Sequence, residues 1–114
     1  MSTLKNKVQL IGNIGNEPDF KELEGGKKVV NFSLATNEIY KNAEGVKVTD
    51  TQWHNIVAWG KTAEVIKKYT NKGDEIAVEG KLVSRSYEDA QGTKRYVTEV
   101  LVNEVLLLSK PKEQ

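Results

Sequence analysis

The chain has two tryptophans, Trp53 and Trp59, and both lie in the short segment Asp50–Gly60. Because alternate side chains of a β-strand point to opposite faces, an unbulged strand would place both rings on one face, together with Asn55 and Val57. Two large rings on one face are either part of the core or a platform on which flat ligands such as nucleobases stack. The residue types alone favour the core, because most paired aromatic side chains pack inside.

His54 is the only histidine, and the chain has no cysteine. Disulfides, thiolate metal sites and histidine clusters are therefore excluded. No serine or carboxylate pattern supplies a recognisable partner for acid–base chemistry at His54. The sequence therefore predicts no catalytic residue, no metal site and no cofactor, and it predicts a packed or interface role for His54.

The composition indicates one domain in a chain of 114 residues. Seventeen basic and sixteen acidic side chains give a net charge of +1, which argues against a strongly basic nucleic-acid binder, although a balanced total can hide segregated faces. The first ten residues contain no apolar run long enough for a signal peptide, and no later segment could span a bilayer. We therefore expect a cytoplasmic protein that does not enter the membrane.

Alternating apolar residues and β-branched residues predict five strands. These are Lys5–Ile14, Val29–Glu38, Thr51–Trp59, Glu75–Tyr87 and Arg95–Leu108. Gly80 predicts a bend or bulge in the fourth strand, and Asn42–Gly45 and Glu88–Gly92 predict hairpin tips. The apolar run Val105–Leu108 is either barrel core or a subunit contact, since alternation cannot turn all of it inward.

One segment between the third and fourth strands has a helical pattern. Thr62 offers a start signal, Ala63, Ile66 and Tyr69 recur at helical spacing, and Gly73 offers a stop. Tyr69 is expected in the core. Five strands with one helix between the third and fourth predict an all-β OB-fold. This fold is a five-stranded, partly open Greek-key barrel that binds oligonucleotides or oligosaccharides on one face.

Over roughly residues 5 to 108 the chain resembles the bacterial single-stranded DNA-binding proteins. The order and spacing of many short motifs carry the resemblance. They are Asn6-Lys7-Val8, Ile11-Gly12-Asn13-Ile14-Gly15, Pro18, Phe32-Ser33-Leu34-Ala35-Thr36, Gln52-Trp53-His54, Trp59-Gly60-Lys61-Thr62-Ala63-Glu64, Tyr69, Lys72-Gly73, Glu79-Gly80-Lys81-Leu82, Arg95-Tyr96 and Thr98-Glu99-Val100.

The resemblance implies a homotetramer of OB-folds that wraps single strands without strong sequence preference. It implies no catalytic activity, and a role in protecting exposed DNA during replication, recombination and repair. Stacking on aromatic rings and neutralisation of phosphates by cations suit such binding, because every base has a π-face and every nucleotide has a charge.

The resemblance assigns base stacking to Tyr40, Trp53, Trp59 and Tyr87, which reverses the preference for the core at the tryptophans. The family often has tryptophan at the two tyrosine positions and phenylalanine at position 59. The matching basic residues are Lys7, Lys61, Lys72 and Arg85. Asn55 and Ser86 stand where the family often has a basic residue. The equal parity of Arg85 and Tyr87 predicts a cation and a ring side by side on the fourth strand. Tyr96 is expected to be structural.

An oligomer interface is expected along the first strand, at Lys7, Val8, Gln9 and Leu10, and the resemblance implies that His54 lies near it. The domain is predicted to span residues 1–108, followed by a short tail at residues 109–114. The family usually continues into a linker and an acidic tip that docks replication and repair enzymes. The six tail residues, SKPKEQ, contain no such tip, so recruitment through it does not carry over.

Two other functions fit parts of the pattern. A dimeric OB-fold accessory protein, such as a primosomal protein, would act mainly through protein contacts, but the tryptophan pair and the nearly complete motif series argue against it. A small nuclease would need clustered carboxylates to hold metal, whereas the acidic residues here are dispersed in predicted loops and turns.

Overall fold

A computed structural model describes residues 4–109 of the chain; residues 1–3 and 110–114 lie outside the described part, and with them most of the predicted tail. The elements are β1 (Val8–Ile14), β2 (Asp19–Glu22), β3 (Lys28–Lys41), β4 (Lys47–Trp59), α1 (Gly60–Tyr69), β5 (Glu75–Glu88) and β6 (Lys94–Leu107). One 3-10 turn, Glu24–Gly26, connects β2 to β3.

Five of the strands form a closed barrel in the order β1-β5-β6-β4-β3, and β1 pairs back onto β3 at Asn13 and Ile14. The seam between β4 and β6 is parallel and consists of two residue pairs, Ile56 with Val100 and Val57 with Leu101. In the barrel α1 lies between the third and fourth strands. The predicted OB-fold is therefore confirmed.

The element bounds differ from the prediction in three places. A short strand, β2, adds to the edge of β3 inside the segment expected to be a connection. The first strand begins at Val8 rather than Lys5. The second and third predicted strands, β3 and β4, are longer than expected: β3 ends at Lys41 and β4 begins at Lys47, so that the two form a long hairpin. Both predicted hairpin tips are confirmed, because Lys41 pairs with Lys47 and Glu88 with Lys94.

The core fills the inside of the barrel with small and branched apolar side chains. On β3 the even-numbered Val30, Phe32 and Leu34 are buried, as the alternation predicts. The other buried members of the cluster are Ile14, Ile56, Ala58, Ala63, Ile66, Ile76, Val78, Val100 and Val102. At the chain end the alternation continues, since Val105 and Leu107 pack against this core and Leu106 is exposed. The opposite face of β4, with Trp53 and Trp59, is therefore left outside the barrel.

The predicted bend at Gly80 is a bulge, because the pairing of β5 with β6 shifts between Glu79 and Gly80. A Cβ at Gly80 would lie 2.0 Å from the carbonyl oxygen of Leu101. The backbones of β5 and β6 approach too closely here to leave room for a side chain. Glycine is therefore required at position 80 because of this close approach and not because of an unusual φ angle.

The helix begins at Gly60, two residues before Thr62, and no side chain caps its first turn. It ends at Tyr69, where the amide N–H and the hydroxyl of Thr70 both donate to the carbonyl of Ile66. Ala63 and Ile66 are buried as predicted, but Tyr69 is 58% exposed. The expectation that Tyr69 is core is therefore wrong, because the barrel accepts only a narrow stripe of this short helix.

An ion pair between Lys28 on β3 and Glu64 on α1 ties the helix to the barrel. The hydrogen bond from Lys28 lowers the pKa of Glu64 below its usual 4.5, and the bond to Glu64 raises the pKa of Lys28 above its usual 10.5. A carboxylate with a lowered folded-state pKa stabilises the fold above its unfolded pKa, and this is lost as pH falls through the folded value. For the lysine, the stabilisation is present below 10.5 and is lost as pH rises through the raised value.

We therefore expect Glu64→Gln to lower the melting temperature at neutral pH, and the difference from wild type to shrink as pH falls below 4.5. Melting curves followed by circular dichroism at a series of pH values measure this. Glu44→Gln, at an exposed hairpin tip, is the control and should show no such trend. A difference for Glu64→Gln that persists unchanged into strong acid would contradict the assignment.

Candidate nucleic-acid interface

A groove runs across the outside of the barrel, between the outer face of β2, β3 and β4 and the outer face of β5 and β6. We call it the outer groove. Its lining residues in the described chain are Asn16, Asp19, Lys21, Val29, Asn31, Phe32, Ser33, Asn55, Ile56, Val57, Trp59, Val83, Arg85, Val97, Glu99 and Leu101. Nearly all those on strands have odd numbers, because the pairing of β3 with β4 continues without a bulge from Val29–Trp59 to Lys41–Lys47.

Trp53 and Trp59 lie on this outer face of β4, as the strand parity predicts. Trp53 is 63% exposed and Trp59 is 46% exposed. Six residues of strand separate them by about 20 Å. The structure thus decides between the two interpretations of the pair. Both rings are surface residues on one face of β4, Trp53 midway along the strand and Trp59 at its end, and neither belongs to the core.

The position of the Trp53 ring depends on Gly15. A Cβ at Gly15 would lie 2.3 Å from Trp53 Cζ3 and 2.9 Å from Ser33 Oγ. The edge of the ring therefore lies against Gly15, directly after β1, while most of the ring stays exposed.

We expect Gly15→Ala to displace the Trp53 ring while leaving the barrel folded, because the clash falls on side chains rather than on backbone. Near-ultraviolet circular dichroism should change in the tryptophan bands, whereas the far-ultraviolet spectrum should not. An unchanged tryptophan signal would mean that the ring does not rest on Gly15.

Arg85 and Tyr87 share the outer face of β5, which confirms the parity prediction. Tyr87 is exposed near the end of the β5–β6 hairpin. Arg85 does not present a free charge, because its guanidinium donates two hydrogen bonds to the carboxylate of Glu99, Nε to Oε1 at 3.1 Å and Nη2 to Oε2 at 3.3 Å. The sequence pattern carried no signal for this pair, because the two residues are brought together only by the strand register.

Tyr40 is exposed but does not join the other rings on their face. It pairs with Val48 and has the even parity of Phe32 and Leu34, so it lies on the opposite face of the β3–β4 hairpin from Trp53. The structure therefore brings Trp53, Trp59 and Tyr87 to the outer side, and leaves Tyr40 on the reverse of the hairpin, beyond the barrel.

The predicted basic residues have different surroundings. Lys61, in the first turn of α1 beside Trp59, is exposed. Lys72 is exposed in the turn before β5, where its backbone N–H donates to Glu17. Lys7 forms an ion pair with Glu79, with Nζ 3.5 Å from Oε1. Lys21, which the sequence did not single out, lines the groove next to Trp59.

The residues expected at an oligomer interface are divided between two faces. Val8 and Leu10 point inward and pack against the core, whereas Gln9 is exposed and donates to Glu79. The apolar residue that β1 exposes is Ile11, which shares a shallow outer hollow with Leu106. His54 is half-buried on the inner face of β4, with Nε2 3.0 Å from the hydroxyl of Thr36.

Tyr96, expected to be structural, is instead largely exposed.

No group of three or more acidic or histidine side chains within residues 4–109 is placed to hold a metal ion. No helix in the same range is long and apolar enough to cross a membrane.

The family model of the single-strand binding protein family matches residues 5–108. Similar curated proteins include single-stranded DNA-binding protein 1 of Chlorobaculum tepidum (44% identical over 104 residues; 90% of this chain and 64% of that protein). The single-stranded DNA-binding protein of Bacteroides thetaiotaomicron is 45% identical over 106 residues, which are 91% of this chain and 66% of that protein. Single-stranded DNA-binding protein 1 of Xylella fastidiosa is 40% identical over 109 residues (95% and 80%).

This chain thus spans just under two thirds of the length of the first two of these relatives. Among solved structures, the Plasmodium falciparum SSB in complex with ssDNA superposes with a TM-score of 0.83 at 34% identity. The match covers 96% of this chain and 99% of that one. The family model, the relatives and the fold agree over almost the whole length of the described barrel. The chain belongs to the single-strand binding protein family.

Proposed function

We propose that the chain binds single-stranded DNA without strong sequence preference, and that it protects exposed strands in replication, recombination and repair. The observation that carries this proposal is the pair of exposed tryptophans on one face of β4, where Trp59 lines the outer groove and Trp53 lies against Gly15, close to Ser33. Exposed rings of this size are unusual on a surface that has no ligand, and stacking on bases gives them one. The relatives named for single-stranded DNA binding support the same proposal.

In this proposal the bases stack on Trp53, Trp59 and Tyr87 along the outer groove. Bases of DNA that passes around the β3–β4 hairpin stack on Tyr40. Lys61 and Lys72 neutralise phosphates. Lys7 and Arg85 are proposed as further DNA contacts, although each already has a carboxylate partner. Residues 1–108 form the binding domain, and residues 109–114 follow it as a short tail. The place of action is the cytoplasm.

We further propose a homotetramer. The exposed Ile11 and Leu106 on the outer side of β1 and β6 support an interface there, next to the predicted Lys7–Leu10 segment. Light scattering at several protein concentrations measures the mass. A dimer would favour the alternative of an accessory OB-fold protein that acts through protein contacts.

The test of binding is a tryptophan-fluorescence titration with a long oligothymidine, beside a duplex of equal length, at low and high salt. Quenching by the single strand alone, weaker at high salt, is the expected result. No quenching and no binding would overturn the proposal. A cleavage assay with added divalent metal addresses the nuclease alternative, and we expect no cleavage.

A further inference from the structure

The middle of the outer groove has a charged pair at its floor. The groove has two openings, one toward Asn16 and Ser33 and one toward Trp59, and both are lined by Asn31, Arg85 and Glu99. Glu99 is 8% exposed and is one of only two buried polar or charged residues in the described chain. Its carboxylate holds the Arg85 guanidinium through two hydrogen bonds.

This pair presents no net charge to a ligand. A phosphate that approached Arg85 would lie within a few ångströms of the Glu99 carboxylate as well, so attraction and repulsion would largely cancel. Glu99 also holds the pKa of Arg85 above its usual range, through its hydrogen bonds first and its charge second. By contrast, Lys61, which is exposed in the first turn of α1, has no ion pair within residues 4–109. Its charge is therefore available to a phosphate, although the nearby Glu64 carboxylate offsets part of it.

Around the pair, the floor offers hydrogen-bonding groups that lack protein partners. Asn31 and Asn55 lie on adjacent strands with outward parity, and their side-chain amides have no hydrogen bond within residues 4–109. Each amide has two donors and an acceptor, and Arg85 has five N–H donors, of which Glu99 engages two. Such groups match the polar edges of nucleobases, which also combine donors and acceptors.

We infer that Arg85 is a base-contacting residue and that Glu99 is its positioning residue, so that a single strand lies with its bases toward the groove floor and its phosphates at the rim. The Glu99 carboxylate repels phosphate from the floor, and Asn31 and Asn55 complete a polar surface for base edges between the two tryptophans. This inference rests on the proposed binding of single-stranded DNA and changes the role of Arg85 from neutralising phosphate to contacting bases.

The salt dependence of binding separates the two roles. On single strands, each neutralised phosphate contributes about −0.7 to the slope of log K against log salt concentration. We would measure this slope with a short oligothymidine, and with an abasic strand of equal length that has phosphates but no bases. The proteins are wild type, Glu99→Gln, the double variant Arg85→Gln/Glu99→Gln, and Lys61→Gln, which serves as the control for loss of a phosphate contact.

We expect Glu99→Gln to release the Arg85 cation, so that the slope steepens by about 0.7 per groove and the abasic strand binds more tightly. The double variant should keep the wild-type slope but bind oligothymidine more weakly, whereas Lys61→Gln should flatten the slope by about 0.7. Circular dichroism checks that each variant is folded. If the double variant does not fold, the salt slope of Glu99→Gln alone still tests the inference.

A double variant whose slope is flattened like that of Lys61→Gln would overturn the inference, as would a Glu99→Gln slope equal to that of wild type. Either result leaves the proposed function intact, provided that wild type binds oligothymidine. Failure of wild type to bind would reject the proposed function itself and is therefore a distinct outcome.

Discussion

Replacing both Trp53 and Trp59 with alanine is expected to weaken binding of a single strand by roughly 2–6 kcal/mol per groove, since each stacked base contributes roughly 1–3 kcal/mol. Trp53→Ala alone should cost about half of this. The slope of log K against log salt concentration should stay close to that of wild type, because no cation has been removed. Fluorescence no longer reports on the double variant, so binding is measured by anisotropy of a labelled oligothymidine.

Tyr69→Ala is the matched control for this prediction. Tyr69 is also an exposed ring, but it lies on α1 and does not line the outer groove. Its removal should leave the affinity unchanged. A large fall in the melting temperature of the tryptophan variant, with normal affinity for the molecules that remain folded, would show that the rings stabilise the barrel instead of binding bases.

Gly12→Ala is expected to destabilise the fold by about 3 kcal/mol or more, at the upper end of what overpacking costs. A Cβ at Gly12 would lie 2.2 Å from the carbonyl oxygen of Ala35 and 2.9 Å from its carbonyl carbon. These are backbone atoms of β3, so no side-chain rotation relieves the clash, and β1 must move away from β3. Urea unfolding measured by circular dichroism gives the change in the free energy of unfolding.

Gly45→Ala separates crowding from backbone strain. Gly45 has a φ of 79°, but no atom lies within 4 Å of the position that a Cβ would take, so alanine there costs only the left-handed conformation, about 1–2 kcal/mol. Gly12→Ala should therefore be the more destabilising of the two. If the Gly12→Ala variant unfolds at the same urea concentration as wild type, then β1 and β3 do not approach as closely as the closed barrel requires.

Local alternation along single strands was enough to predict much of the fold. The even face of β3 and the odd face of β4 were assigned correctly, because the register between these strands has no bulge and parity is preserved along its whole length. The two hairpin tips were also predicted correctly, because each depends on a few turn residues that are adjacent in the sequence. The helix ends were not predicted well, because the start at Gly60 follows directly from β4 and uses no capping side chain that a sequence would show.

Residue type was a poor guide to burial wherever the neighbour came from a distant strand. Tyr69 was expected in the core and is exposed, while Glu99, an acidic residue on β6, is among the most buried polar groups. Tyr40 resembles the other candidate stacking residues in sequence, but the pairing of β3 with β4 places it on the reverse face. The register between strands distinguishes Glu99 and Tyr40, and the packing of α1 on the barrel decides the exposure of Tyr69.

The sequence by itself determined the five barrel strands, the helix, their order and the common face of Trp53 and Trp59, because these follow from periodicities within a few residues of one element. The tertiary structure decided which side of that strand the barrel encloses, and so whether the two rings are core or surface. It also decided that Arg85 meets Glu99 across β5 and β6. Pairing between strands distant in the chain sets both outcomes, and no local pattern encodes it.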